Sequence, residues 1–195
     1  MPSMSAIEAA FCRSAPWRTL ARKSILPWVL PGVHLDGEVL ELGGGSGAMA
    51  VATARTFSTA RVTVTDVDPD MVEAASRRLA GLDNASADLA DTTALPYAAE
   101  SFDFVTSYLM LHHVIEWRRG LDEVARVLSP GGLFVGYDLT NTALAKAIHI
   151  VDRSPHLLVA PDDLHRHLLA AGFVDVVVST SFAGTLMRFQ AHKPS

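Results

Sequence analysis

The sequence predicts an α/β domain built on an open, largely parallel sheet, and three observations carry that expectation. Apolar or β-branched runs alternate with helix-period segments five times between residues 39 and 139. The stretch from Val39 to Asp66 reads as strand, glycine turn, alanine-rich helix and strand, a βαβ unit that demands a right-handed crossover and parallel strands. Finally, Phe173 to Thr180 and Thr185 to His192 are two strand-like runs separated by a short segment holding Gly184, so they can pair antiparallel as a hairpin at a sheet edge.

In chain order, Ser5 to Leu30 reads as one or two helices, with Ser14 a fitting N-cap and Pro16 near the first helical position. Arg18, Arg22 and Lys23 give it a basic face, read as a solvated side. Pro31-Gly32 ends it and Asp36-Gly37 turns the chain into the first strand. Ala48 to Phe57 follows as a helix and Arg61 to Asp66 as a β-branched strand. Asp68-Pro69-Asp70 supplies cap, proline and acid for a helix running to about Ala80, so Asp68 and Asp70 are assigned to capping. Asn84 to Ala90 is a weak strand and Ser101 to Ser107 a clear one. Leu121, Val124, Ala125 and Leu128 give a helix over Gly120 to Leu128, which Pro130-Gly131-Gly132 stops ahead of a strand from Leu133 to Leu139. The pattern weakens from Thr140 to Leu158, the best candidate for an insertion or lid over a substrate, with His149 and His156 inside it. Pro161-Asp162-Asp163 then starts a helix that ends at Ala171-Gly172.

Composition narrows the function. With 195 residues, 49% of them hydrophobic and 19% charged, and no linker-like break, the chain suits one globular domain with a full core. Its apolar runs are too short and too interrupted for a membrane span. Met1 to Phe11 lacks the basic start and apolar centre of an export signal, so a cytoplasmic location is expected. Cys12 is the only cysteine, which excludes an internal disulfide and a cysteine-cluster metal site, and no other metal triad emerges. A net charge of −5, with no basic run beyond Arg77-Arg78 and Arg118-Arg119, lacks the footprint of a nucleic-acid binder. The expected partner is a small molecule, and the oligomeric state is left open.

The chemistry centres on Val39-Leu40-Glu41-Leu42-Gly43-Gly44-Gly45-Ser46-Gly47. Glycines there allow a sharp turn and let a ligand approach the backbone amides. Glu41, at the carboxyl end of its strand, suits a cation better than a phosphate. Asp66 lies about twenty residues past the glycines, at the end of the second strand, where an acid can accept both hydroxyls of a ribose; a nucleoside-bearing cofactor follows. Tyr108 to His113 leave the carboxyl end of the fourth strand, the end at which open α/β sheets bind ligands.

These stretches, with Val64-Thr65-Asp66-Val67-Asp68-Pro69-Asp70-Met71, Ala90-Asp91 with Leu95-Pro96-Tyr97, Ser101-Phe102-Asp103-Phe104-Val105, Leu111-His112-His113-Val114 and Arg126-Val127-Leu128-Ser129-Pro130-Gly131-Gly132, resemble the ordered motifs of class I S-adenosylmethionine-dependent methyltransferases, in the small-molecule branch with a Leu-His-His motif. The resemblance covers roughly residues 38 to 192. It implies a Rossmann-like, doubly wound, three-layer fold on a seven-stranded sheet, parallel except for an antiparallel last strand. It implies S-adenosylmethionine as cofactor and S-adenosylhomocysteine as product, and it assigns contacts. Gly43, Gly44, Gly45 and Gly47 would bring backbone to the methionine and ribose, and Glu41 would help hold the ammonium. Asp66 would take the ribose hydroxyls, Val67 and Met71 would pack on the adenine side, and Asp91 with the Thr92 amide would meet the adenine edge. Asp88 is the nearby alternative acid, disfavoured by its spacing from Leu95-Pro96. Ser107 would offer its carbonyl near the methionine end.

At the acceptor end, His112 is the candidate base and Tyr108 its companion at the start of the substrate loop. The expected layout is one domain over 1–195: a helical segment 1–37, a cofactor-binding half 38–139, a candidate lid 140–160, and a terminal helix and hairpin 161–195. The expected activity is methyl transfer to a small-molecule oxygen, nitrogen or carbon. Two alternatives remain at this point. A non-catalytic module could keep the nucleoside pocket without turnover. A nicotinamide-dependent dehydrogenase would also satisfy Gly43-x-Gly45-x-x-Ala48 and Asp66, although Glu41 would oppose its pyrophosphate.

Overall fold

The computed structural model describes residues 21–142 and 157–195. The helices expected before residue 21, and residues 143–156 of the candidate lid with His149 and His156, lie outside the described residues. The described chain opens on a π-turn, Ala21–Ile25, that runs into the single-turn helix α1 (Leu26–Val29). Then come β1 (Gly37–Leu42), α2 (Ala48–Thr56), β2 (Ala60–Asp66), α3 (Pro69–Leu79), β3 (Ala85–Leu89), β4 (Phe102–Tyr108), a 3₁₀ turn at Leu111–His113, α4 (Trp117–Val127), β5 (Leu128–Leu139), α5 (Pro161–Ala170), β6 (Val174–Ser181) and β7 (Leu186–His192).

The seven strands form one sheet in the order β3-β2-β1-β4-β5-β7-β6. Pairings among β3, β2, β1, β4 and β5 are parallel, and β7 runs antiparallel to both β5 and β6. The terminal hairpin therefore forms as expected, but its second strand lies inside the sheet and β6 takes the edge. The order reverses between β1 and β4, the crevice where open α/β sheets take ligands.

Alternation along the strands assigns each side chain to one of two cores. Leu40 and Leu42 of β1, Val105 of β4 and Phe134 of β5 face α4 and α5, packing with Leu121, Val124, Leu164 and Leu168. Val39, Val62, Val64, Val135 and Tyr137 face the other way, toward α1, α2 and α3. Helix α3 is capped as the sequence predicts: the Asp68 carboxylate accepts from the Asp70 amide at 2.9 Å and Pro69 follows.

Two boundaries differ from expectation. Helix α4 begins at Trp117, three residues early, because Trp117 is buried and Gly120 sits inside the helix against Thr92, where a Cβ would lie 3.1 Å from the threonine methyl. Strand β5 begins at Leu128, so Pro130-Gly131-Gly132 forms an irregularity within the strand and does not precede it. The register jumps from Phe102 opposite Leu128 to Phe104 opposite Leu133, and Gly131 donates its amide to Lys193 at 3.0 Å.

Candidate functional site

The carboxyl ends of β1, β2, β3, β4 and β5 gather the residues singled out in the sequence. Glycine is required where the loop after β1 packs against its neighbours: a Cβ on Gly43, which has φ 54°, would stand 2.1 Å from the Met110 side chain, and one on Gly44 would stand 2.2 Å from Val64 and 2.5 Å from the Glu41 carboxyl. The loop is pinned by the Gly44 amide donating to the Thr65 carbonyl at 2.9 Å, and by Arg78 of α3 donating to the Ser46 carbonyl and hydroxyl, both at 2.7 Å. Gly47 ends the loop with φ 76° as the N-cap of α2.

Asp66 closes this loop from the β2 side. Its carboxylate accepts the Gly45 amide at 2.9 Å and the Asp68 amide at 3.0 Å, which orient it while leaving lone pairs for a diol. Burial raises its pKa, and the amides of Asp68, Gly45 and Val67 pull against that shift. Val67 is half-buried beside it and Met71 is buried on α3.

Asp91 follows β3 and Asp88 lies within the strand. Asp91 accepts from the amide and the hydroxyl of Thr93, both at 2.8 Å; burial would raise its pKa, but these bonds and the Arg119 charge hold it below the ordinary value. Asp88 instead receives the Tyr97 hydroxyl at 2.9 Å. Arg126 shapes this loop by donating to the carbonyls of Leu95 at 3.0 Å and Tyr97 at 2.8 Å, while Glu123 accepts the Leu95 amide at 2.8 Å.

Glu41 is 1% exposed and, by strand alternation, shares the face of Val39, toward α2. Neither of its carboxyl oxygens has a hydrogen-bond partner. The Ala50 amide points toward it from α2 without closing a bond, and burial pushes its pKa up to about 8. Tyr108 ends β4 on the same face, its hydroxyl near those of Thr53 and Thr106 but within hydrogen-bond geometry of neither. Burial, with the nearby Glu41 adding to it, holds this phenol above its ordinary range.

The opposite face of the sheet carries a second buried polar group. After β4 the backbone turns through Leu109, at φ 56°, into the 3₁₀ turn that holds His112, which is 2% exposed. His112 Nδ1 lies 2.5 Å from the carboxylate of Asp138, the penultimate residue of β5. That carboxylate also accepts the His112 amide at 3.2 Å and the Leu139 amide at 2.6 Å. Because a carboxylate only accepts, Nδ1 is the donor, and whenever the ring is neutral the lone pair is on Nε2. His113 lies beside it, ring centroids 4.0 Å apart and planes tilted by 43°, and the Leu157 amide donates to the His112 carbonyl at 2.7 Å. Ser107, fully buried, directs its carbonyl at Gly136, where a Cβ would stand 2.1 Å away.

Asp138 and Thr53 were not singled out from the sequence, and Arg78 and Arg126 stood there only within a basic run and a motif, with no contact assigned. Asp138 had a usable signal, an acid inside the apolar run Leu133 to Leu139, the same signature that marks Glu41 in β1. The other three act through tertiary contacts that no local pattern announces. A surface cavity of about 510 Å³ lined by Asp36, Asp103, Gly131 and His192 opens at the amino ends of β1 and β4, at the far end of the sheet. Among the described residues no cluster of histidine, cysteine and acid could hold a metal, and no helix is long and apolar enough to cross a membrane.

Comparison with known proteins matches residues 40–136 to a methyltransferase domain family. A demethylmenaquinone methyltransferase of Clavibacter sepedonicus is 33% identical, the alignment covering 92% of this chain and 80% of that protein. The ubiquinone/menaquinone biosynthesis C-methyltransferase UbiE of Desulfotalea psychrophila is 37% identical over 55% of this chain but only 43% of its own length. Among solved structures, the S-adenosylmethionine-dependent methyltransferase SibL superposes with a TM-score of 0.73 at 26% identity, covering 92% of this chain and 56% of that one. These matches weigh against the nicotinamide reading of the glycine loop. The orphaned carboxyl beneath that loop fits a cationic ligand end better than a pyrophosphate.

Proposed function

We propose that this chain, which belongs to the class I S-adenosylmethionine-dependent methyltransferases, methylates a hydroxylated aromatic or quinol-type small molecule that His112 deprotonates. The cofactor, when bound, supplies a sulfonium methyl that is already strongly electrophilic, so the protein's work is positioning and proton removal. Gly43, Gly44, Gly45 and Gly47 with Asp66 would hold its methionine and ribose, Asp91 and Thr92 its adenine edge, and Val67 and Met71 its adenine face, whereas the Ser107 carbonyl is turned toward Gly136 within the sheet. Glu41 lies beneath the loop as the acid for the cationic end.

The observation that carries the acceptor reading is the buried pair of His112 and Asp138. Asp138 fixes the ring and its tautomer, so Nε2 can take a proton from an acceptor hydroxyl. The resulting oxyanion shares its charge with the ring carbons beside it, which serves transfer to oxygen or to carbon. The first relatives act on quinone-pathway substrates by name, and the choice of acceptor class rests on them. Tyr108, with its hydroxyl among Glu41 and Thr53, is assigned to positioning the end of β4 and not to the acceptor's proton.

The test is a turnover screen of phenols, hydroquinones, fatty acids and amines with wild type and His112→Ala. Removal of the base should lower kcat on hydroxylated aromatics by about a hundredfold or more, with S-adenosylhomocysteine affinity unchanged. Equal turnover of the two proteins from neutral to acidic pH would remove the base assignment.

A further inference from the structure

Glu41 is surrounded by groups that close no hydrogen bond to its carboxyl. Its neighbours across the sheet are Val64 on β2 and Thr106 on β4. The Thr106 hydroxyl is directed at the Leu40 carbonyl at 3.4 Å. From α2 come the Ala50 amide, short of a bond, and the Thr53 hydroxyl, itself unpartnered; Arg55 of that helix is exposed. From the loop comes the Cα of Gly44. Among the described residues the titratable side chains nearest on this face are Tyr108 on β4 and Tyr137 behind it on β5, ring centroids 6.1 Å apart. Asp66, the remaining acid at the loop, is engaged with the Gly45 and Asp68 amides. Among the described residues no cation pairs with Glu41.

A carboxylate enclosed in this way, with both oxygens unpartnered, is one of the least favourable arrangements a protein can hold, and the ordinary relief is to keep the proton. The loop directly above it is the one assigned to the cofactor's amino-acid end, whose ammonium is the cation within reach. A positive charge brought near in a low-dielectric setting reverses the preference and favours the ionised form.

We propose that Glu41 is neutral in the free protein and gives up its proton when the cofactor's ammonium settles on the glycine loop, so that cofactor binding releases a proton to solvent. The balance is simple: the carboxyl O–H breaks, the carboxylate stays to face the ammonium, and the proton passes to buffer. The inference rests on the cofactor reading above and deepens it. Binding then strengthens as pH rises toward the free-protein pKa of about 8 and levels off beyond it, because less work is spent removing the proton.

Calorimetry on the full chain in two buffers of different ionisation enthalpy tests this, with S-adenosylhomocysteine and 5′-methylthioadenosine as probes, the second lacking the amino-acid end. At about pH 7 the first should release close to one proton per site and the second close to none, and release should fade by about pH 9. The dissociation constant for S-adenosylhomocysteine should fall by up to about tenfold per pH unit below the plateau. Glu41→Gln, which keeps the shape without the proton, should abolish the release. The two-probe comparison on wild type stands alone should that variant fold poorly. Binding of S-adenosylhomocysteine without proton release, or release that persists in Glu41→Gln, overturns the inference and leaves the cofactor assignment intact. Absence of binding by folded wild type overturns both.

Discussion

Glu41 and Asp138 occupy equivalent places: each is the penultimate residue of a central strand and each is 1% exposed. They lie on opposite faces of the sheet, and their surroundings are opposite too. Asp138 accepts from His112 Nδ1 and from two backbone amides, so its charge is satisfied within the fold. Glu41 has no partner for either oxygen. A buried acid with its bonds made fixes the geometry of something else, here an imidazole. One without them is incomplete until a ligand arrives. On the proposed reading the two faces divide the labour, proton removal on the α4 side and cation recognition on the α2 side.

The largest effect should come from disturbing the completed site. Asp138→Asn keeps the volume but can turn an N–H toward Nδ1, favouring the wrong tautomer. kcat should fall at least about a hundredfold while the affinity for S-adenosylhomocysteine stays within about twofold. A pH–rate profile is the readout a merely structural role would not move: its limb for the base should shift in Asp138→Asn. If kcat survives and only thermal stability drops, Asp138 is a core residue and the division by faces fails.

Asp66 stands between the two extremes, half its capacity used by amides. Asp66→Ala removes a charged acceptor worth roughly 1.5 to 3 kcal/mol, so S-adenosylhomocysteine binding by calorimetry should weaken by more than about tenfold. Asp91→Ala should cost less. Asp88→Ala should leave affinity nearly unchanged, since Asp88 serves the Tyr97 hydroxyl. A ranking with Asp88 above Asp91 would mean that the loop after β3 meets the nucleoside through a different acid.

The incomplete site should show itself in stability. Glu41 ionises with an ordinary pKa of 4.5 when unfolded and about 8 when folded, so the folded state holds the extra proton between those values. Stability is therefore full below the lower value and is lost as pH rises toward the upper one. Glu41→Gln should melt near wild type at acid pH and at least about 5 °C above it at pH near 9, by scanning calorimetry. Parallel melting curves at both pH values would show that Glu41 has a partner after all.

How legible each site was follows from where its information lies. The glycine loop, Asp66 and the cap at Asp68-Pro69 are local features, and their spacing announces strand, turn and helix. The seven strands, parallel with an antiparallel last one, followed from the βαβ reading and the motif resemblance, whereas their order, with β7 between β5 and β6, did not. What escaped depended on contacts across the fold. Trp117 starts α4 early because it is buried against His167, ring centroids 5.3 Å apart, a pairing some fifty residues distant. Asp138 became meaningful only when β5 was laid beside β4, bringing residues 26 apart within hydrogen-bond reach. Glu41 was legible as an acid for a cation, but its lack of partners is a property of packing that no sequence pattern carries.

The smallest expected effect concerns Tyr108, whose hydroxyl shares the α2 face with Glu41. The hydroxyl is buried and makes no hydrogen bond, so Tyr108→Phe removes a polar group that the fold leaves unsatisfied. Deleting such a group is neutral or slightly stabilising, in contrast to deleting one partner of a made bond, and the melting temperature should move by less than about 3 °C. The ring remains to fill the space beside Tyr137. kcat should change by less than about threefold if, as proposed, the acceptor's proton leaves through His112 on the other face. A fall of more than about tenfold in kcat at unchanged melting temperature would place the Tyr108 hydroxyl at the reacting atoms. In that case chemistry and cation recognition share one face, and His112 with Asp138 is left to shape the loop after β4.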